Sequence, residues 1–331
     1  MNKMWKEILA AAMVGILLPR AIIHTAAWLF PQGENQNQTE VTEPSYSETV
    51  PNFETEVPAY IPVLTGNTAL RVMGLEEYVL CVVLAEMPAY FHPEALKAQA
   101  VAARTYALRR VSIGDKHPDG AVCTDPGCCQ ALLSREEYLQ IRGTVRELET
   151  IRKAVEATAG QVLLYDGMYA EATYFSCSGG KTEDALEVWG TAYPYLTSVS
   201  SPGEEEAALY RETKRFTPDA FASALDRHLT GSPEQWIGKR TYTQGGGVKT
   251  IDICGKSYSG TQLRELLSLN SASFTISVAE GMLVVETAGK GHRVGMSQYG
   301  ADAMAETGKT YREILAYYYP GTGIDKIGTM G

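Results

Sequence analysis

The sequence predicts an α+β fold, and three observations carry that prediction. Capped apolar runs of helical length are interspersed with short alternating runs. The alternating runs pair across Gly-containing turns instead of helical crossovers, which argues against a doubly wound parallel sheet. No internal repeat suggests a solenoid or an array. A chain of 331 residues, 45% hydrophobic and 21% charged, is long enough to bury a sizeable core as one large domain or two smaller lobes.

Residues 1–30 read as a membrane signal. Lys3 and Lys6 precede "ILAAAMVGILL", and the apolar character continues past Pro19, Arg20 and His24 to Phe30. An uncleaved anchor with its basic end inside is the preferred reading, and a signal cleaved near Thr25-Ala26-Ala27 is the alternative. Either one exports the remainder. Residues 31–62 are polar, acidic and Pro-spaced without helical period, so they read as a disordered linker. Residues 63–324 are then the folded domain. Of the net charge of −10, six units come from Glu34, Glu40, Glu43, Glu48, Glu54 and Glu56 in the linker, so the domain itself is only mildly acidic. No Lys/Arg stripe stands out, which argues against nucleic acid and favours an uncharged or sugar-like ligand.

Within the domain, "LEEYVLCVVLA" is apolar nearly all round and predicts a buried helix, with Glu76 and Glu77 well placed near its N-terminus. "PEALKAQAVAARTYALRRV" predicts a second helix opened by Pro93, with Lys97 and Arg104 sharing one face. "SREEYLQIR" starts on a capping-box pattern and "VRELETIRKAVEATAG" ends on Gly, so both read as helices. "QVLLYDGMYAEATYFS" predicts a hairpin around Asp166-Gly167. Next come a helix in "TPDAFASALDRHL", strands in "TYTQGGGVKTIDIC", a helix in "GTQLRELLSL" and a hairpin in "SFTISVAEGMLVVETAG". A Gly-rich loop and two short helices, "SQYGADAMAETG" and "TYREILAYYYPG", close the domain.

Glu86 ends the first apolar run, ahead of Met87-Pro88. A charge at such an edge is expensive unless paired, solvated or protonated. The negative end of a helix and apolar walls would both disfavour its ionised form, the property a general acid needs. An ordinary ion pair with Lys97 or Arg104 is the bland alternative. "TYFSCSGGKTED" lacks the Gly spacing of a phosphate loop, because Phe175 stands five residues before Gly180. It reads instead as a turn presenting Ser176, Ser178 and backbone N–H groups. "GKGHRVGMSQYGA" gathers His292, Ser297, Gln298 and Tyr299 on glycine-rich backbone, in a spacing that is not a nucleophile elbow. His117, Cys123, Cys128 and Cys129 supply one tetrahedral zinc set with no open position, hence a structural site. A disulfide from Cys123 to either neighbour is the competing reading. Cys81, Cys177 and Cys254 read as buried or stray thiols, with a Cys177–His292 dyad as a remote nucleophilic option.

Four of these stretches, in order, resemble the stage II sporulation protein D family, which includes the amidase-enhancer domain. They are "EEYVLCVVLAEMPAYFHPEALKAQAVAARTYAL", "YFSCSGGKTEDALEVWGTAYPYLTSVSSP", "QLRELLSLNSASFTI" and "GKGHRVGMSQYGADAMAETGKTYREILAYYYPGT". The resemblance implies a two-lobed α+β domain around a substrate cleft, and a lytic transglycosylase that cuts peptidoglycan glycan strands lacking stem peptides during forespore engulfment. It implies Glu86 as the single general acid/base, protonated at rest, with Lys97, Gln99, Arg104, Ser176, Ser178, His292, Ser297, Gln298 and Tyr299 binding substrate. No cofactor is needed for that chemistry. It further implies a single-pass protein of the mother-cell septal membrane, with the domain outside the cytoplasm and stage II sporulation proteins P and M as partners. Cys81 replaces the family's usual Gly, Cys177 a small hydroxyl residue, and Arg293 the middle Gly of Gly-His-Gly-Val-Gly. A non-catalytic enhancer of a cell-wall amidase and a thiol hydrolase built on Cys177 are the alternative functions.

Overall fold

The computed structural model describes residues 59–66, 69–117, 120–141 and 143–326. The anchor and nearly all of the linker therefore lie outside the described residues. Among the described residues no helix is long and apolar enough to cross a membrane.

The mixed α+β class holds. Buried hydrophobic residues gather into two separate cores, and the elements divide between them. In the larger core, helix α1 (Leu75–Glu86) is buried from Tyr78 to Leu84. It stops where the residue before a proline is kept out of helical geometry: Met87 is extended at φ −122°. His92 caps helix α2 (Pro93–Ile113) by accepting the Glu94 N–H, Pro93 opens its first turn, and Gly114 ends it in left-handed geometry. The alanines of α2 let α1 pack close along it. Helix α3 (Arg135–Ile141) begins at Ser134, which exchanges hydrogen bonds with Glu137, and α4 (Val145–Ala157) begins on a full Thr144–Glu147 capping box.

The first strands correct the linker boundary. Strand β1 (Tyr60–Thr65) starts inside the stretch read as disordered, and pairs antiparallel with β2 (Ala69–Gly74) and parallel with β3 (Val122–Cys123). Ile61 and Val63 are buried, so the alternation that fixes the strand sits at the end of an acidic tract that masks it. The hairpin predicted around Asp166-Gly167 is shorter than expected. Strand β4 (Gln161–Tyr165) pairs with only two residues of β5 (Met168–Tyr169). The chain then leaves the hairpin, and β6 (Tyr174–Phe175) pairs elsewhere.

After a short helix α5 (Ala185–Trp189), the smaller core is built from two three-stranded sheets. One is β11 (Phe274–Ala279), β12 (Met282–Ala288) and β7 (Arg211–Phe216), and the other is β8 (Ile237–Tyr242), β9 (Val248–Ile253) and β10 (Lys256–Ser259). Helices α6 (Pro218–Ala224) and α7 (Gly260–Leu266) bury Phe221 and Leu263 in that core. The chain returns to the larger core through β13 (Met296–Ser297), α8 (Gln298–Glu306), α9 (Tyr311–Tyr318) and β14 (Gly323–Lys326). The parallel pairing of β13 with β6, Met296 to Tyr174 and Ser297 to Phe175, joins two loops remote in sequence along one edge.

Candidate active site

A cleft of about 660 Å³ opens between the two cores, within the size range of small-molecule sites. Glu86 lines it because α1 ends there and the extended Met87 turns the chain away. Its Oε1 accepts from the Ala131 N–H at 3.2 Å and its Oε2 from the Gln298 amide at 3.4 Å. Behind it, Tyr78 donates to Gln130 Oε1 at 3.0 Å, and Gln130 Nε2 donates to the Tyr174 hydroxyl at 2.7 Å. Burial first, with the charge of Glu86 adding to it, holds both phenols well above the usual tyrosine range. They remain neutral donors and acceptors beside the carboxylate. The cleft's other carboxylate, Glu171, is buried and gripped by Arg109 at 2.7 Å and by Arg110.

Directly upstream of Gln130 lies the cysteine cluster. The donor atoms of His117, Cys123, Cys128 and Cys129 all lie within 4.8 Å of one another, and all four cysteine and histidine side chains are at least partly buried. Cys128 Sγ stands 3.3 Å and Cys129 Sγ 3.6 Å from His117 Nε2. Three thiols and an imidazole converging on one point fit a tetrahedral cation, and adjacent Cys128 and Cys129 both reach it. In this structure the cysteines of the cluster are free thiols.

On the opposite wall, the His292 loop is held against β6 by its glycines. A Cβ on Gly291 (φ +111°) would lie 2.7 Å from that of Phe175, so only glycine fits. His292 Nδ1 accepts from Val294 N–H at 3.1 Å, and its ring lies 5.2 Å from that of Trp189. Burial first and the nearby Arg264 charge second push the imidazole down to about 4, so it is neutral at physiological pH. Arg293 adopts the left-handed conformation that the glycine it replaces would favour, at φ +66°. Its buried guanidinium donates to Glu183, to the Ser178 and Lys181 carbonyls and to Gly245 in the β8–β9 turn.

Comparison with known proteins decides the family. The family described as Stage II sporulation protein (SpoIID) matches residues 65–165. Stage II sporulation protein D of Bacillus subtilis (strain 168) is 44% identical over 275 residues, covering 81% of this chain and 80% of the relative. The chain belongs to the stage II sporulation protein D family. The Bacillus amyloliquefaciens protein of the same name is 39% identical, over 82% of this chain and 80% of its own length. The amidase enhancer of Bacillus subtilis is 31% identical over 72% of this chain but only 39% of its own length.

Of the substrate residues implied by this family's resemblance, Ser176, His292 and Gln298 line the cleft with Glu86. The remaining six do not. Lys97 pairs with Glu94 at 2.6 Å, and fully buried Arg104 forks onto Glu76 at 2.6 and 2.8 Å. Neither is the partner of Glu86 that the bland reading named. Gln99 is buried in the larger core with both amide atoms unpartnered among the described residues. Ser178 donates to buried Glu204 at 2.9 Å, Ser297 caps α8 through the Gly300 N–H, and Tyr299 packs edge-on against Phe91. The thiol-hydrolase reading fails on chemistry. Cys177 donates to Glu204 at 3.0 Å, and burial together with that carboxylate pushes its thiol up to about 12, far from a usable thiolate. The structure adds Gln130, Ala131, Tyr174 and Trp189 to the site. Trp189, 41% exposed in the quoted "DALEVWG" block, was the one with a visible signal. Ala131 acts through its backbone, which no side-chain pattern reveals.

Proposed function

We propose that this chain is a peptidoglycan lytic transglycosylase with Glu86 as its single general acid/base. The observation that carries the reading is the asymmetry of the two cleft carboxylates. Glu171 is neutralised by two arginines, while Glu86 is presented to the cleft between an amide side chain and a backbone N–H. Glycosidases that hydrolyse use two carboxylates, whereas intramolecular transfer needs one. Glu86 protonates the glycosidic oxygen as the bond to C1 breaks, and the leaving sugar departs as an alcohol. The resulting carboxylate takes the proton of the muramoyl 6-hydroxyl, O6 bonds to C1, and a 1,6-anhydro ring forms without water. The Gln298 amide and Ala131 N–H orient the carboxylate. Trp189 and His292 offer a ring wall for a sugar. One structural zinc on His117, Cys123, Cys128 and Cys129 contributes rigidity and no chemical step.

Residues 1–30 hold the domain at the membrane, outside the cytoplasm. The biological setting is forespore engulfment, with stage II sporulation proteins P and M as partners and stem-peptide-free glycan as substrate. The test is mass spectrometry of glycan digested by the wild type and by Glu86→Gln. Anhydro-ended fragments should appear with the first and not the second, and near-normal turnover by Glu86→Gln sinks the assignment. A relative named amidase enhancer favours a second reading, a glycan-binding stimulator without turnover. Intact glycan after wild-type digestion would favour it.

A further inference from the structure

We propose that Arg264, Asn270 and Lys290 form a carboxylate-binding subsite in the cleft, so that the sugar bound there is one carrying a free acid group. This rests on the glycan reading above, whose stem-peptide-free strands carry such groups, and assigns the residues that hold one. All three residues line the cleft, on the side of the smaller core and the His292 loop. Arg264 sits in the last turn of α7, partly buried, and among the described residues no group accepts a hydrogen bond or ion pair from its guanidinium. Asn270 follows on the same stretch, and its Nδ2 is buried without an acceptor. The Asn270 carbonyl accepts the Gly291 N–H at 3.0 Å, which fixes the loop that carries Lys290. The Lys290 ammonium is exposed and likewise has no acceptor among the described residues.

The cleft's other cations are already occupied. Arg110 grips Glu171, and Lys116 donates to the Cys128 carbonyl at 2.5 Å and the Tyr106 hydroxyl at 3.1 Å. The three donors without acceptors are therefore concentrated at one end. Burial with only Glu265 opposing it already lowers the Arg264 guanidinium from its ordinary range, the cost of desolvating a charge with no counterion. A neutral sugar hydroxyl would leave that charge uncompensated. A carboxylate brings two oxygens that match the planar guanidinium fork, with lone pairs left for an amide and an ammonium. In a chain of net charge −10, donors left without acceptors in a cleft are better explained by an anionic ligand than by solubility.

The experiment measures binding by calorimetry with the Glu86→Gln protein, so that turnover does not interfere. The two probes are a peptide-free glycan with free muramoyl carboxylates and the same glycan with those carboxylates converted to methylamides. The free acid should bind about tenfold more tightly, the scale of one charge-assisted hydrogen-bonding pair. Arg264→Gln should erase the difference and Lys290→Gln should reduce it. Equal binding of both probes, or a difference that survives Arg264→Gln, overturns the subsite. Lys290 is exposed and its replacement leaves folding intact. Should Arg264→Gln not fold, an unchanged ratio in Lys290→Gln overturns the subsite. Binding of neither probe refutes the glycan reading itself, and the subsite with it.

Discussion

The N–H of Ala131 donates to Glu86 Oε1 at 3.2 Å, and Ala131 stands only two residues beyond Cys129. Between them, Gln130 links the phenols of Tyr78 and Tyr174. The cluster of His117, Cys123, Cys128 and Cys129 therefore anchors the strip of chain that orients the proposed acid, although none of its atoms touches substrate in the proposed mechanism.

Loss of the proposed zinc should therefore show in turnover before it shows in glycan binding. Cys129→Ser, or dialysis against a strong chelator, is expected to lower turnover roughly 10–100-fold, as for supports one step removed from a reacting group. Zinc should restore the chelated protein. Metal analysis should give about one equivalent, the stoichiometry of a closed four-ligand site. Unchanged turnover after verified metal removal would break the proposed link between cluster and acid.

The sequence showed the parts of this arrangement that depend on local rules. Caps, prolines and apolar runs placed α1, α2 and the later helices, and residue spacing placed the Cys/His cluster. It did not show parts that depend on distant pairing. Strands β6 and β13 are two residues each and meet across 122 positions, from Tyr174 to Met296, so neither carries a pattern of its own. The same limit explains Lys97 and Arg104. Their shared helix face made them the alternative partners of Glu86, but Glu94 and Glu76 bind them instead. Backbone donors such as the Ala131 N–H are common to every residue but proline, so composition cannot single one out.

Arg293 and Glu183 are each almost fully buried and lie 3.1 Å apart, with Gly245 and Gly247 of the β8–β9 turn packed on the carboxylate. Restoring glycine by Arg293→Gly relieves a left-handed conformation that costs about 1–2 kcal/mol. It also strands Glu183, at about 3–5 kcal/mol for a broken buried pair. The second effect is larger, so Arg293→Gly should destabilise by about 2–3 kcal/mol in urea unfolding. Adding Glu183→Gln should recover part of that loss. A neutral or stabilising Arg293→Gly would show that the pair contributes little.

His292 gives the domain a pH-dependent stability. Its folded value of about 4 lies below the ordinary 6.5, so between those limits the unfolded chain holds a proton that the folded chain lacks. Stability therefore rises with pH across that window and falls on acidification, by roughly 3–3.5 kcal/mol in full. Urea unfolding at pH 4.5, 5.5 and 7 measures the slope. His292→Asn keeps an acceptor for Val294 N–H but cannot titrate, so its slope should be shallower. An equal slope in both proteins would assign the effect to other groups.

Ser297 and Gln298 are adjacent, yet the structure gives them different tasks, and this separates folding from catalysis at one point of the chain. Ser297 accepts the Gly300 N–H at 3.2 Å as the cap of α8, and it is fully buried. Gln298, the first residue of that helix, faces the cleft and donates to Glu86 Oε2. Ser297→Ala should cost about 1 kcal/mol, the value of a lost cap. In a domain of this size that lowers Tm by about 2–4 °C, with activity preserved at temperatures below the transition. Gln298→Ala should leave Tm nearly unchanged and lower kcat by about 10²-fold, the scale of one lost preorganised donor at a charged reacting group. Gln298→Glu is the sharper variant, because it sets a second carboxylate against Glu86 and should shift the acidic and basic limbs of the pH–rate profile as well as its height. If the activity losses of both alanine variants simply tracked their melting temperatures, Gln298 would be a packing residue and the proposed orientation of Glu86 would lose its side-chain half.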